Sequence, residues 1–238
     1  MPVDQAASVG ELATSLPGAL RAFDDLRIDY CCSGTRSLAD ACRAEGVAVG
    51  DVVARIEQAA EVAPVVDAVW LFRPLAALVA HIVSHYHAFT RKELARLRSL
   101  VAELQESGDT RWPELRKLAT LLAELENEMI PHMVKEERIL FPYVIELEAR
   151  ARSGNPRPHI DLQANENPLR VMMQEHRHAD GTLRQIRRAC ADFVTPEGAT
   201  PAIADLYDSL ERLERTLHHH VHLESNVLFR RAIELERG

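Results

Sequence analysis

The sequence predicts an all-α protein, a four-helix bundle preceded by a small helical domain, and three observations carry that expectation. Composition comes first: 47% of the 238 residues are hydrophobic yet only 5% aromatic, with Leu, Ala, Glu and Arg abundant, a mixture that favours helix. Periodicity is second, apolar residues recurring at three- and four-residue steps over four long stretches. Punctuation is third, since each stretch begins near a proline that suits the first helical position: Pro74, Pro113, Pro168 and Pro201.

In chain order, residues 1–62 read as the small domain, with two or three short helical patterns around IDYCCSG, where Gly34 ends or turns the chain. Residues 63–73 read as a linker, because VAPVVD places Pro64 between two periodic regions. Residues 74–238 form the bundle, with helices expected at 74–105, 113–150, 168–192 and 201–236. Asn167 and Thr200 precede the third and fourth as caps. The connection at 153–168, SGNPRPHIDLQANENP, is long for neighbours in an up-and-down bundle and reads as a flap.

Twenty-eight basic against 36 acidic side chains leave a formal charge of −8, which repels nucleic acid phosphates and anionic membrane surfaces. The start, MPVDQAASVGEL, has no basic segment followed by an apolar run, and no stretch reaches the roughly 20 apolar residues of a membrane span. Four cysteines make no disulfide scaffold, and the adjacent Cys31 and Cys32 would strain a bridge. A reducing, cytoplasmic setting is expected.

Function enters through residues that do not belong in a core. In the last helix Leu206, Leu210, Leu213, Leu217, Val221, Val227 and Leu228 trace an inward stripe, and His220 and Glu224 fall on it. The second helix repeats the arrangement, with Leu118, Leu125, His132 and Ile139 in one seven-residue row and Leu122, Met129, Glu136 and Tyr143 in the other. His176 lies on the row of Leu169, Met172, Ala179, Leu183 and Ile186. The first helix carries HIVSHYH, in which His85 follows Leu78 and Ile82 while His87 follows Val79 and Val83, so periodicity leaves two candidates.

A buried, unpartnered carboxylate costs on the order of several kcal/mol, so two in one core call for positive charge between them, which a metal centre supplies. Intervals of 45, 44 and 44 residues separate His87, His132, His176 and His220, about one helix plus one loop each, as ligands at one height require. Imidazole and carboxylate donors without thiolate favour iron or manganese over structural zinc, and two glutamates able to bridge imply two ions. A ferritin-like site would need two ExxH motifs, and only Glu175 to His178 matches.

These residues resemble the iron-sulfur cluster repair di-iron proteins, the RIC, YtfE or ScdA-type family, over nearly the whole chain. The resemblance rests on GELATSLPGALRAFDDLRIDYCCSGTRSLADAC (10–42), HIVSHYH (81–87), HMVKEERILFP (132–142), EH (175–176) and HVHLESNVLF (220–229). It implies a hemerythrin-like up-and-down bundle in which His87, His132, Glu136, His176, His220 and Glu224 hold two irons. Glu136 and Glu224 would bridge them beside an oxo or hydroxo group. Glu128 and Glu175 match acidic positions beside the centre or on an iron passage, and Cys31 and Cys32 match a pair with a redox or iron-transfer role.

The implied function is repair of iron-sulfur clusters damaged by nitrosative or oxidative stress, by supplying iron or reacting with nitric oxide. Damaged iron-sulfur proteins would be the partners, with nitric oxide or oxygen as small ligands. The alternative is a hemerythrin-like oxygen or nitric oxide carrier or sensor, for which a Cys-Cys domain would be superfluous. Enzymatic nitric oxide chemistry and a homodimer formed through the small domain stay open. The chain departs from the family pattern at Ser33, Arg230 and Pro131. Pro131 removes an amide bond to the Asn127 carbonyl and predicts a kink or bulge beside His132.

Overall fold

The computed structural model describes residues 3–60, 67–108, 110–154 and 168–237, and among these no strand forms. They divide into two compact units, one of Met1–Ala80, Tyr143–Leu169 and His219–Gly238, the other of His81–Pro142 and Arg170–His218.

Four short helices open the first unit: α1 (Val9–Ser15), α2 (Ala19–Leu26), α3 (Leu38–Glu45) and α4 (Val49–Ala60). Ser8 caps α1 in a capping box with Glu11, and Ser37 caps α3 through the Asp40 amide, which fixes both starts. Val9, Phe23, Tyr30, Leu38, Val52 and Ile56 gather with Val221 in one core. A 3₁₀ turn, Asp67–Leu71, buries Asp67 and Trp70. Of the expected linker, residues 63–66 lie outside the described residues, as do Asn167 and the flap at 155–167.

The long helical stretches follow: α5 (Leu75–His81), α6 (Ala88–Glu106), α7 (Leu115–Lys135), α8 (Phe141–Ser153), α9 (Pro168–Ala189), α10 (Pro201–His222) and α11 (Phe229–Arg237). Pro74 accepts the first α5 amides on its carbonyl, and the Glu148 carboxylate takes the Leu75 N–H at 2.9 Å, a negative charge at a helix start. Pro168 and Pro201 are first residues of their helices, and Thr200 Oγ1 accepts the Ile203 N–H. In the second unit Leu94 and Leu97 of α6, Leu118, Leu122 and Leu125 of α7, Leu183 and Ile186 of α9, and Leu206, Leu210 and Leu213 of α10 enclose one core.

Three wide π-turns interrupt these helices: Ile82–His87 between α5 and α6, Glu136–Leu140 between α7 and α8, and Leu223–Leu228 between α10 and α11. Each inserts a residue into the helical count, which corrects one sequence expectation and separates two histidines that periodicity left open. Ile139, expected inward, is 62% exposed, and Leu140 is buried in its stead. At the first turn His85 is turned out while His87 is fully buried. Pro131 does not end α7, which runs on to Lys135; the widened turn starts at Glu136, five residues later.

Candidate metal centre

His87, Glu136 and the residues around them are placed by the π-turns. The extra residue in the first turn brings His87 inward in place of His85, and such bulges recur at functional sites because they re-aim one group without unwinding the helix. His87 closes the first turn, and Glu136 opens the second directly after α7. His132 stands one helical turn before Glu136, and His176 comes from the middle of α9.

Within the second unit these four meet. Glu136 Oε1 lies 3.0 Å from Nε2 of His132 and 3.8 Å from Nε2 of His176, while Glu136 Oε2 lies 3.5 Å from Nε2 of His87. One carboxylate thus faces His87 with one oxygen and the His132–His176 pair with the other. The two Nε2 atoms of that pair are 2.9 Å apart, close enough to converge on a single ion. His87 and Glu136 are fully buried, and His132 and His176 nearly so. An all nitrogen and oxygen donor set, with a carboxylate reaching two ways, fits iron-class cations and the bridging mode.

The outer nitrogens are held by acidic partners. Glu175 Oε2 accepts from Nδ1 of His132 at 2.9 Å, and its other oxygen pairs with Lys135. Glu137 Oε1 accepts from Nδ1 of His87 at 2.7 Å and from Arg91 at 2.8 Å. In both glutamates burial pushes the carboxyl up, but the hydrogen bonds from His and from Lys135 or Arg91 outweigh it and hold the group below the ordinary carboxylate range. Each carboxylate fixes its imidazole as the Nδ1–H tautomer, leaving Nε2 as the donor to a metal. Sequence reasoning missed Glu137, whose sole signal is its place beside Glu136.

Glu128 touches none of these histidines in the same way. It lines a cleft of about 260 Å³ with Met129, Pro131, His132, Lys135, Glu175 and His178, and burial raises its carboxyl. The cleft brings solvent to one edge of His132.

In the first unit His220 and Glu224 form a second buried pair, Nε2 to Oε1 at 2.9 Å, with the carboxylate in the third π-turn. Around them lies a polar group that sequence reasoning did not foresee. Asn226 Nδ2 donates to Nδ1 of His222 at 2.9 Å and to the Tyr30 carbonyl at 2.8 Å, and the buried Asp67 holds His219 at 2.7 Å. Burial pushes the His222 imidazole down to about 3, so it is neutral. None of the four cysteines is in a disulfide; Cys31, Cys42 and Cys190 are buried and Cys32 is half-buried.

Among the described residues no helix is long and apolar enough to cross a membrane. Residues 5–60 match the ScdA_N domain, a domain of unknown function (DUF542), and residues 78–232 match the hemerythrin HHE cation binding domain. A protein of Pectobacterium carotovorum named iron-sulfur cluster repair protein YtfE is 31% identical over 230 residues, 96% of this chain and 97% of its own. One of the same name from Edwardsiella ictaluri is 35% identical over 229 residues, 94% and 96% of the two chains. A third, from Salmonella paratyphi B, is 31% identical over 225 residues, again 94% and 96%. A buried histidine and glutamate set on wide helical turns, carried by a chain that matches these relatives from end to end, has one reading: the protein belongs to the ScdA_N–hemerythrin HHE family of the YtfE proteins.

Proposed function

We propose that His87, His132, Glu136, His176, His220 and Glu224 hold two iron ions, bridged by the Glu136 and Glu224 carboxylates and by an oxo or hydroxo group. The protein would use them in the cytoplasm to restore iron-sulfur clusters damaged by nitrosative or oxidative stress. The observation that carries this reading is the Glu136 carboxylate, one oxygen toward His87 and the other toward His132 and His176. The relatives named for cluster repair support it, as does their end-to-end match, with residues 1–62 as the Cys-Cys domain and 74–238 as the bundle. When bound, the iron pair supplies releasable metal and one-electron chemistry toward nitric oxide.

The chain's own residues explain release. Glu136, with one oxygen toward His87 and the other toward His132 and His176, would hold an ion on each side through hard carboxylate oxygens, and the absence of thiolates from the set suits metal that is given up. Glu175 and Glu137 keep His132 and His87 aimed, so a vacated position is ready to refill. The cleft lined by Glu128, His132 and Glu175 would give a cation a way to and from His132. Clients are damaged iron-sulfur proteins, Cys31 and Cys32 take a redox or iron-transfer role, and the net charge of −8 leaves no part for nucleic acid.

The test is metal content and visible absorption of protein purified without added metal, followed by timed iron loss to a weak chelator with an apo cluster protein in competition. Two irons per chain, an oxo-bridged near-ultraviolet band and faster loss to the acceptor are expected. Two tightly held irons would favour an oxygen or nitric oxide carrier, and absence of iron would overturn both.

A further inference from the structure

The loop that carries the two adjacent cysteines is built as tightly as the bundle. Between α2 and α3 the Gly34 carbonyl accepts from the Gly10 amide of α1 at 2.8 Å, and the Tyr30 carbonyl accepts from Asn226 Nδ2 at 2.8 Å. A Cβ on either Gly10 or Gly34 would run into the Asn226 amide, so both positions need glycine for this close approach. Inside the loop Asp29 Oδ1 accepts from the amides of Cys32 at 2.8 Å and Ser33 at 3.2 Å, which pins the carboxylate over the thiols.

The resulting spacing has a chemical meaning. The two Sγ atoms are 3.7 Å apart, and Cys31 Sγ is 3.5 Å from Asp29 Oδ1. Two thiolates at about 2.3 Å from one tetrahedral ion stand about 3.8 Å apart, and a thiolate and a carboxylate oxygen on that ion about 3.6 Å apart. One ligand atom from each of Asp29, Cys31 and Cys32 falls within 4.8 Å of the others. Cys31 is buried while Asp29 and Cys32 are half-buried, so a fourth position would face solvent. A closed structural site has four protein ligands; three with one open position suit an ion that arrives and leaves.

We propose that Asp29, Cys31 and Cys32 form a separate thiolate–carboxylate site for one tetrahedrally bound divalent transition-metal ion. Binding converts two thiols to thiolates and releases two protons per ion, with no change of oxidation state. The amides of Cys32 and Ser33 orient the carboxylate in the way outer partners orient metal ligands elsewhere. The site rests on the iron-transfer role proposed above for Cys31 and Cys32, and its thiolate donors set it apart from the iron pair in the bundle, whose donors are imidazole and carboxylate.

The test uses the full chain with its bundle centre loaded with iron, fully reduced and free of oxygen, titrated with cobalt(II). One equivalent should bring in thiolate-to-cobalt charge-transfer absorption with tetrahedral visible bands, and release about two protons in weak buffer. Imidazole and carboxylate ligands cannot give that charge-transfer band. Cys31→Ser or Cys32→Ser should abolish it, and the half-buried Cys32 position keeps the test open should Cys31→Ser misfold. Asp29→Asn retains the acceptor for both amides and should weaken binding roughly tenfold or more, since even loss of an outer partner costs that much. Absence of the thiolate band in the parent protein overturns the site, and unchanged affinity in Asp29→Asn removes Asp29 from it. Iron content measured in the same samples reports on the bundle separately, so neither result decides the other.

Discussion

Glu137 accepts a hydrogen bond from Nδ1 of His87 at 2.7 Å, and that one contact determines which face of the imidazole is offered to a metal. With Nδ1 carrying the proton, Nε2 keeps its lone pair and points at Glu136. Glu137→Ala should therefore lower iron affinity by roughly 10–100-fold without unfolding the bundle, and Glu137→Gln, which retains an acceptor, by less. Glu175→Ala should behave in the same way through His132. Iron content after dialysis against graded chelator checks both.

Glu136 is expected to be the residue whose loss empties the centre. Glu136→Ala removes both oxygens that face His87 and His132, so bound iron should fall at least roughly tenfold while far-ultraviolet circular dichroism stays helical. Iron content equal to that of the parent protein would contradict the assignment.

Acid sensitivity of the bundle has a nameable source. Burial raises the Glu93 carboxyl, but hydrogen bonds and charge from Arg96 and Arg212 outweigh it, so the group sits below the ordinary carboxylate value. A depressed carboxyl contributes stability that is complete above its unfolded value near 4.3 and is lost as pH falls through the folded value. Glu93→Gln should cost about 2 kcal/mol at neutral pH, and the difference in Tm from the parent should shrink below about pH 4. Thermal melts of both proteins across that range decide it.

Gly34 is predicted to tolerate no side chain. A Cβ there would lie 2.8 Å from the Tyr30 carbonyl oxygen and would press on the Asn226 amide. Gly34→Ala should destabilise the first unit by about 2 kcal/mol and expose the buried Cys31. Differential scanning calorimetry and the rate of thiol modification read the two effects.

The bundle was legible because its signals are local. Proline starts, apolar periods and the long stretches at 74–105, 113–150, 168–192 and 201–236 correspond to α5–α6, α7–α8, α9 and α10–α11 to within a few residues. Periodicity failed where the helix widens: a 3.6-residue count carried through Glu136–Leu140 puts Ile139 inside, whereas the extra residue hands that place to Leu140. The same mismatch left His85 and His87 undivided. Glu137, Asp67 and Asn226 were hidden for another reason, since their hydrogen bonds to His87, His219 and the Tyr30 carbonyl join residues 50, 152 and 196 positions apart, which no local pattern encodes.

A π-turn also changes what kind of mutation the protein can survive. Deleting one residue between Glu136 and Leu140 would let the turn relax into ordinary α-helix with every backbone bond made, and everything beyond it would keep its present facing, because the wide turn already absorbs one residue more than an α-helix would. A deletion between Phe141 and Val144, in the uninterrupted part of α8, would instead rotate every later side chain by about 100° and carry the buried Leu147 off its core. Around His87, Glu136 and Glu224 the helices can therefore shed a residue with less damage to their cores than elsewhere, and what such a loss changes is the aim of the side chains within the turn itself.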